Sequence, residues 1–274
     1  MPVARSAQKV LMNLGATMSF KRKLSQINYI AFEGIDGCGK SLQLKMLQKA
    51  LEEKDYSILC VAEPDEDNPV GQFLRKCLKS GEYPHAHAQL FLADRMLLLH
   101  SKVIPALVDK KIVLSSRSLL STLVYQQNHW SKDYLEKIHE GLPVRPGITF
   151  IFDISPYLAV ERLKGRGIEA ECYEAYGTLA QARKRYLEYA QSSSGFTFVV
   201  DAAGTPEQVH QEVMAILEDI GFFTNYDFMI QGKEVDGYRK VMTSFDKGIE
   251  DEESDETSTE TGTETGNEGE TEAE

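Results

Sequence analysis

The sequence predicts an α/β fold: a five-stranded parallel sheet flanked by helices on both faces. Three observations carry this. Short apolar runs alternate with longer segments of helical apolar spacing from Asn28 to about residue 220. The first run breaks into a glycine-rich turn that ends Gly39-Lys40-Ser41 before a helical pattern begins. Finally, 42% of the 274 residues are hydrophobic, enough to bury a sizeable core.

The apolar runs at 28–33 (NYIAFE), 57–63 (SILCVAE), 111–116 (KIVLSS), 148–154 (ITFIFDI) and 197–201 (TFVVD) read as strands. Between them, apolar positions three and four residues apart predict helices near 40–54, 69–79, 86–109, 119–127, 156–165, 171–191 and 205–219. This alternation fills 27–222, the length of one ordinary domain. Residues 1–26 carry Arg5, Lys9, Lys21, Arg22 and Lys23 and no acid, which suits a flexible basic leader and is compatible with organelle targeting. Past residue 222 the apolar rhythm fades, leaving 223–245 as an extension of uncertain character. Residues 246–274 have no apolar side chain larger than alanine after Ile249 and are expected to stay disordered, as a solubilising appendage or an interaction tail.

The net charge of −12 is located wholly in that tail, whose thirteen acids and one lysine leave 29 bases and 29 acids elsewhere. A balanced body excludes a general nucleic-acid surface, which needs an excess of Lys and Arg. No apolar run approaches the length of a membrane span. Cys38, Cys60, Cys77 and Cys172 show no metal-ligand spacing and read as free thiols of a reducing compartment, the cytoplasm.

Gly34-Ile35-Asp36-Gly37-Cys38-Gly39-Lys40-Ser41 matches G-x-x-x-x-G-K-[ST], after a strand and before a helix, where a P-loop NTPase fold places it. Glycines let successive backbone N–H groups point at phosphate oxygens, and the helix N-terminus adds positive potential. Gly34, Asp36, Gly37, Cys38, Gly39, Lys40, Ser41 and Leu42 are therefore the predicted ATP contacts. Lys40 is assigned to the β- and γ-phosphates and Ser41 to Mg²⁺. Phe91 and Arg95, four apart on one helix, share a face. They suit either a base-stacking ring beside a carbonyl-reading cation, or a core Phe with an Arg reaching for solvent.

With this loop, "AEP" at 62–64, "LFLADR" at 90–95, "SSRSLLSTLVYQ" at 115–126 and "ERLKGRG" at 161–167, the chain resembles the thymidylate kinase family over about residues 28–220. The resemblance implies a nucleoside monophosphate kinase that uses ATP and Mg²⁺ to phosphorylate dTMP, commonly as a homodimer. It implies that Phe91 stacks on the base, Arg95 contacts it, and Arg117 grips the acceptor monophosphate. Asp36 meets the deoxyribose and phosphate region, and Ser121, Tyr125 and Gln126 line the acceptor nucleoside. Members place a charge-neutralising arginine either in the phosphate loop or in a lid. Here the loop has Gly37, so the assignment falls on the lid approach, on Arg166 with Arg162 near it. Both also suit a helix C-terminus. Arg183 matches a family arginine or serves as a surface ion-pair partner.

Three departures stand out. Ser116 replaces the aspartate that usually precedes Arg117, removing a carboxylate near the metal. Asp65, Glu66 and Asp67 occupy a loop that usually carries glycines or an arginine. Cys172-Tyr173-Glu174 lacks a lid cation. The expectation is that Glu63 and the Asp65–Asp67 cluster compensate for Ser116. The alternatives are a kinase of another or modified pyrimidine deoxynucleoside monophosphate, and a weakly active nucleotide-binding protein with an interaction tail.

Overall fold

The computed structural model describes residues 27–165, 175–193, 195–224 and 226. Its five strands are β1 (Tyr29–Glu33), β2 (Ile58–Ala62), β3 (Ile112–Ser116), β4 (Ile148–Asp153) and β5 (Phe196–Asp201), all parallel in the order β2-β3-β1-β4-β5. Every strand lies within a residue or two of its predicted place. β1 is central and every residue of it is buried, because Phe32 pairs with Ser116 on one side and Phe150 on the other.

The helices are α1 (Lys40–Glu52), α2 (Pro69–Ser80), α3 (His87–Leu98), α4 (Ile104–Val108), α5 (Leu119–Tyr125), α6 (Lys132–Ile138), α7 (Pro156–Lys164), α8 (Tyr176–Ser192) and α9 (Pro206–Asp219). Their starts follow local chemistry. Asn68, Ser131, Ser155 and Thr205 each cap a helix by accepting a backbone N–H, and Pro69, Pro156 and Pro206 occupy first helical positions where a missing N–H costs nothing. The core joins the sheet to the inner faces of α1, α8 and α9, with Leu47, Leu51, Phe150, Phe152, Tyr186 and Val213 all buried.

Two differences from the predicted helices have physical causes. The expected continuous helix over 86–109 is interrupted by a π-helical turn at Leu99–Val103. That wider turn keeps Leu98, Leu99, Val103 and Ile104 buried together, and it precedes Pro105, which cannot donate within a helix. Helix α6 departs from the sequence pattern, since it is short and buries only Leu135. The start predicted for α8, at residue 171, lies outside the described residues, as do the leader and the acidic tail.

The chain runs from β1 to one edge and returns, then crosses from β3 to the other side of β1. The loops after β1 and β3 therefore flank a switch point at the carboxyl ends of the strands, the place where open α/β sheets bind ligands. Among the described residues, no helix is long and apolar enough to cross a membrane.

Candidate active site

A cavity of about 730 Å³ opens at that switch point. The phosphate loop forms its floor, from Asp36 to Gln43. At one end stand Arg162, Gly165, Ala202, Gly204 and Pro206, and at the other Glu63, Pro64, Arg75, Phe91, Arg117, Ser121 and Tyr125.

The loop's shape depends on its glycines. Gly37 has φ +86°, and a Cβ there would lie 2.4 Å from the Ala159 carbonyl oxygen on α7. Gly39, at φ +98°, would meet nothing within 4 Å. The loop thus packs against α7 on one side and stays open towards the cavity on the other. Helix α1 starts at Gly39 with no side-chain cap and no acid in its first turn. Uncapped N–H groups facing an open cradle are what an anionic phosphate requires. Lys40 is buried, and its Nζ donates to the Gly34 and Ile35 carbonyls, each at 2.9 Å, with Asp36 at 3.8 Å. The lysine is folded back on its own loop, within reach of any group the loop holds. Ser41 and Leu42 line the cavity, Leu42 being 48% exposed. Gly34 lies outside the lining. Its φ is +136° and a Cβ there would stand 2.6 Å from the Phe152 carbonyl oxygen, so it is the turn that sends β1 into the loop.

Arg117 follows β3 at φ 74°, a left-handed conformation that costs a non-glycine residue about 1–3 kcal/mol. Its backbone N–H reaches Phe32 O at 3.0 Å and its carbonyl accepts from Ser115 Oγ at 2.6 Å, so both neighbouring strands hold the strain. The guanidinium donates Nη1 to Ser121 Oγ at 3.0 Å and Nη2 to Asp36 Oδ1, and lies over the Tyr125 ring at 5.3 Å. Burial, followed by the Asp36 charge, pushes the Tyr125 phenol far above its usual range, so it stays neutral.

The predicted residues separate into two layers. Phe91, Arg117, Ser121, Tyr125 and Asp36 stand together on the cavity wall. Arg95 and Gln126 stand behind that wall and do not line the cavity. Gln126 is fully buried and Arg95 is 2% exposed. Arg95 has neither a solvent-reaching nor an open base-facing position, because Glu63 holds it: Nε lies 3.0 Å from Glu63 Oε1, and Nη2 donates to Thr122 Oγ1 at 2.9 Å. Among the described residues its Nη1 has no hydrogen-bond partner. Arg162 donates Nη1 to Ala202 O at 3.0 Å and lines the opposite end. Arg183 forms a two-pronged pair with Asp153 at 2.6 and 2.8 Å. Arg166 and Cys172-Tyr173-Glu174 lie outside the described residues.

The acidic loop also corrects expectation. Asp65 and Asp67 both accept from Lys102 Nζ, at 2.8 and 2.6 Å, and Glu66 pairs with Arg75 at 2.9 Å. All three carboxylates face cations and none lines the cavity, so they do not replace the charge missing at Ser116, which does line it. Glu63 lines the cavity but is committed to Arg95. The loop is held from beneath by Asp94, which accepts from the Asp65 N–H at 3.2 Å and from Asn68 Nδ2 at 2.8 Å; burial pushes its carboxyl up to about 6.

Sequence reasoning missed Arg75, a cation on the acceptor-side wall whose Nη2 donates to Pro64 O at 3.0 Å. Its place on α2 followed no local motif, and nothing in the sequence set it apart from Lys76 and Lys79 on the same helix.

A parallel α/β sheet carrying an open phosphate loop, an arginine at the end of the neighbouring strand and an aromatic wall across one cavity defines a P-loop nucleoside monophosphate kinase. The thymidylate kinase family model matches residues 32–213. The chain is similar to probable thymidylate kinases of Thermococcus gammatolerans, 30% identical over 69% of this chain and 95% of that protein, and of Pyrobaculum aerophilum, 33% identical over 70% and 97%. It is likewise similar to the thymidylate kinase of Rhodopirellula baltica, 32% identical over 68% and 78%. The chain belongs to the thymidylate kinase family.

Proposed function

We propose that this protein transfers the γ-phosphoryl group of ATP to dTMP, giving dTDP, with Mg²⁺. One observation carries the reading. A single cavity joins the open phosphate loop to a wall that presents an aromatic face (Phe91), a phosphate-gripping fork (Arg117) and nucleoside-sized polar groups (Ser121, Tyr125). Phosphoryl transfer needs little more than alignment and charge neutralisation.

Gly37 to Leu42 hold the triphosphate of ATP, with Arg162 beside its base end. Lys40 leaves the Gly34 and Ile35 carbonyls for the transferring phosphate. The Ser41 hydroxyl is the side chain that would hold Mg²⁺, which would supply positive charge to the transferring phosphate. Arg117 exchanges part of its Asp36 contact for the acceptor phosphate, and Asp36 turns to meet the deoxyribose. Phe91 stacks on thymine, and Arg95 Nη1, the unpartnered donor, serves a base carbonyl through a small shift of its side chain. Arg166, which the family resemblance assigns to the lid approach, is the proposed neutraliser of charge on the transferring group.

The same reading extends to a homodimer, supported by the exposed Phe73 and Leu97 on α2 and α3, and to the cytoplasm, supported by the free thiols of Cys38, Cys60 and Cys77. One observation favours a weakly active nucleotide-binding protein instead: Ser116 brings no charge, and Asp65, Glu66 and Asp67 face cations rather than the cavity. Incubation with ATP, Mg²⁺ and dTMP separates the two. Sustained formation of dTDP and ADP supports the kinase; tight dTMP binding without turnover supports the alternative.

A further inference from the structure

Glu33 closes β1 one residue before the phosphate loop and is 0% exposed. Phosphoryl transfer as proposed leaves it unused. Its carboxylate is fully coordinated by donors. Oε1 accepts from Ser118 Oγ at 2.7 Å and from the Ser121 N–H at 3.3 Å; Oε2 accepts from Ser121 Oγ at 2.6 Å and from the Tyr186 hydroxyl at 3.0 Å. Burying a carboxylate is costly even when its lone pairs are filled, so its place behind the site calls for a purpose.

That purpose is visible at Ser121. A hydroxyl has one proton. Ser121 commits it to Glu33, which turns the oxygen's lone pairs towards Arg117, whose Nη1 donates to them at 3.0 Å. The Tyr186 hydroxyl, 2.9 Å from Ser121 Oγ, closes the same ring on Glu33 from α8. Arg117 is thereby held from the phosphate loop by Asp36, from α5 by Ser121 and from one face by Tyr125.

Resting on the kinase reading, we propose that Glu33 is a positioning residue for the acceptor site: by fixing the direction of the Ser121 hydroxyl proton, it sets the Arg117 guanidinium in the orientation that grips the acceptor's monophosphate. Glu33 touches neither substrate. A carboxylate that only packed would matter to stability alone, whereas this relay makes acceptor affinity depend on a group behind the wall.

Glu33→Gln tests it with almost no change of volume. If the new amide NH₂ stands in place of Oε2 it meets the Ser121 hydroxyl, and in place of Oε1 it meets the Ser121 N–H. The first orientation turns the Ser121 proton towards Arg117, donor against donor. The second displaces the helix turn that carries Ser121.

Steady-state kinetics of the full chain with ATP and dTMP, accompanied by thermal melting, give the readout. Glu33→Gln is expected to raise the KM for dTMP about tenfold while the KM for ATP moves less than about twofold. In a Ser121→Ala background, where the relay is already cut, Glu33→Gln is expected to add less than about twofold. Tyr186→Phe removes a donor from Glu33 but leaves the relay, and is expected to change the dTMP KM less than about threefold. If Glu33→Gln melts below the assay temperature, Glu33→Asp retains the charge but shortens its reach, and the same selective rise is expected. Equal changes in both KM values, a fall in kcat alone, or effects of Glu33→Gln and Ser121→Ala that simply multiply would overturn the relay while leaving the kinase reading intact. A wild-type chain that neither binds nor phosphorylates dTMP contradicts the kinase reading and the relay with it.

Discussion

Gly37→Ala exposes the tightest constraint in the phosphate loop. Position 37 sits at φ +86°, where an L-residue costs about 1–2 kcal/mol. The added Cβ would stand 2.4 Å from Ala159 O, on a helix whose Ala159 is itself fully buried. Relieving that contact means moving α7, an overpacking cost of about 1–3 kcal/mol. Together these give about 2–5 kcal/mol, or a fall in Tm on the order of 10 °C for a domain of this size. Gly39→Ala is the internal control: its φ is also left-handed, but nothing lies within 4 Å of a Cβ there, so only the first cost applies. Calorimetry on both variants isolates the contact. Gly37→Ala should also raise the KM for ATP, because Arg162 and Gly165 on the cavity wall move with α7. The same clash bars an arginine at 37, so Gly37→Arg should not restore turnover to an Arg166→Ala chain. If Gly37→Ala melts no lower than Gly39→Ala, the packing of the loop on α7 has been misjudged.

Lys40→Ala should lower turnover more than about a hundredfold, while Tm falls by only a few degrees, the loss of the two bonds its Nζ makes to the Gly34 and Ile35 carbonyls; turnover and melting measured together check this. Ser116→Asp should raise turnover at limiting Mg²⁺ about tenfold, equivalent to about 1.4 kcal/mol in the barrier, because Lys102 and Arg75 hold the acids that the sequence offers as compensation; an unchanged rate would show that another group supplies the charge. Asp94 binds its proton more tightly folded, at about 6, than unfolded, at 3.8, so its contribution to stability is greatest below about pH 4 and is lost as pH rises to about 6. Asp94→Asn should remove a decline of up to about 3 kcal/mol across that window, read from denaturant midpoints at successive pH values.

What was legible in the sequence was local. Lys40 and Ser41 are read from eight contiguous residues whose chemistry needs no partner from elsewhere, and the strands announce themselves because each is apolar enough to be buried. Arg117 and Asp36 were legible as separate motifs, but their contact across β1 and β3 follows only from the sheet order. The second layer was not legible. Glu33 looks like an ordinary strand end until Ser118, Ser121 and Tyr186, the last 153 positions away, converge on it. Asp65, Glu66 and Asp67 look like an anionic obstacle until the π-helical turn brings Lys102 to Asp65 and Asp67, and α2 brings Arg75 to Glu66. Arg95 shows the limit clearly: its spacing from Phe91 was right, yet the buried carboxylate of Glu63 decides where its guanidinium points.

The central claim is that the wall formed by Phe91, Arg117, Ser121 and Tyr125, with Arg95 behind it, accepts the monophosphate of a thymine deoxynucleoside. Its most direct test supplies the purified chain with ATP, Mg²⁺ and equal concentrations of dTMP, dCMP, dUMP, AMP and GMP, and follows the loss of each monophosphate and the diphosphates formed. The account predicts dTDP as the dominant acceptor product, with AMP and GMP left unconsumed. Preferential consumption of AMP or GMP in that mixture would contradict it.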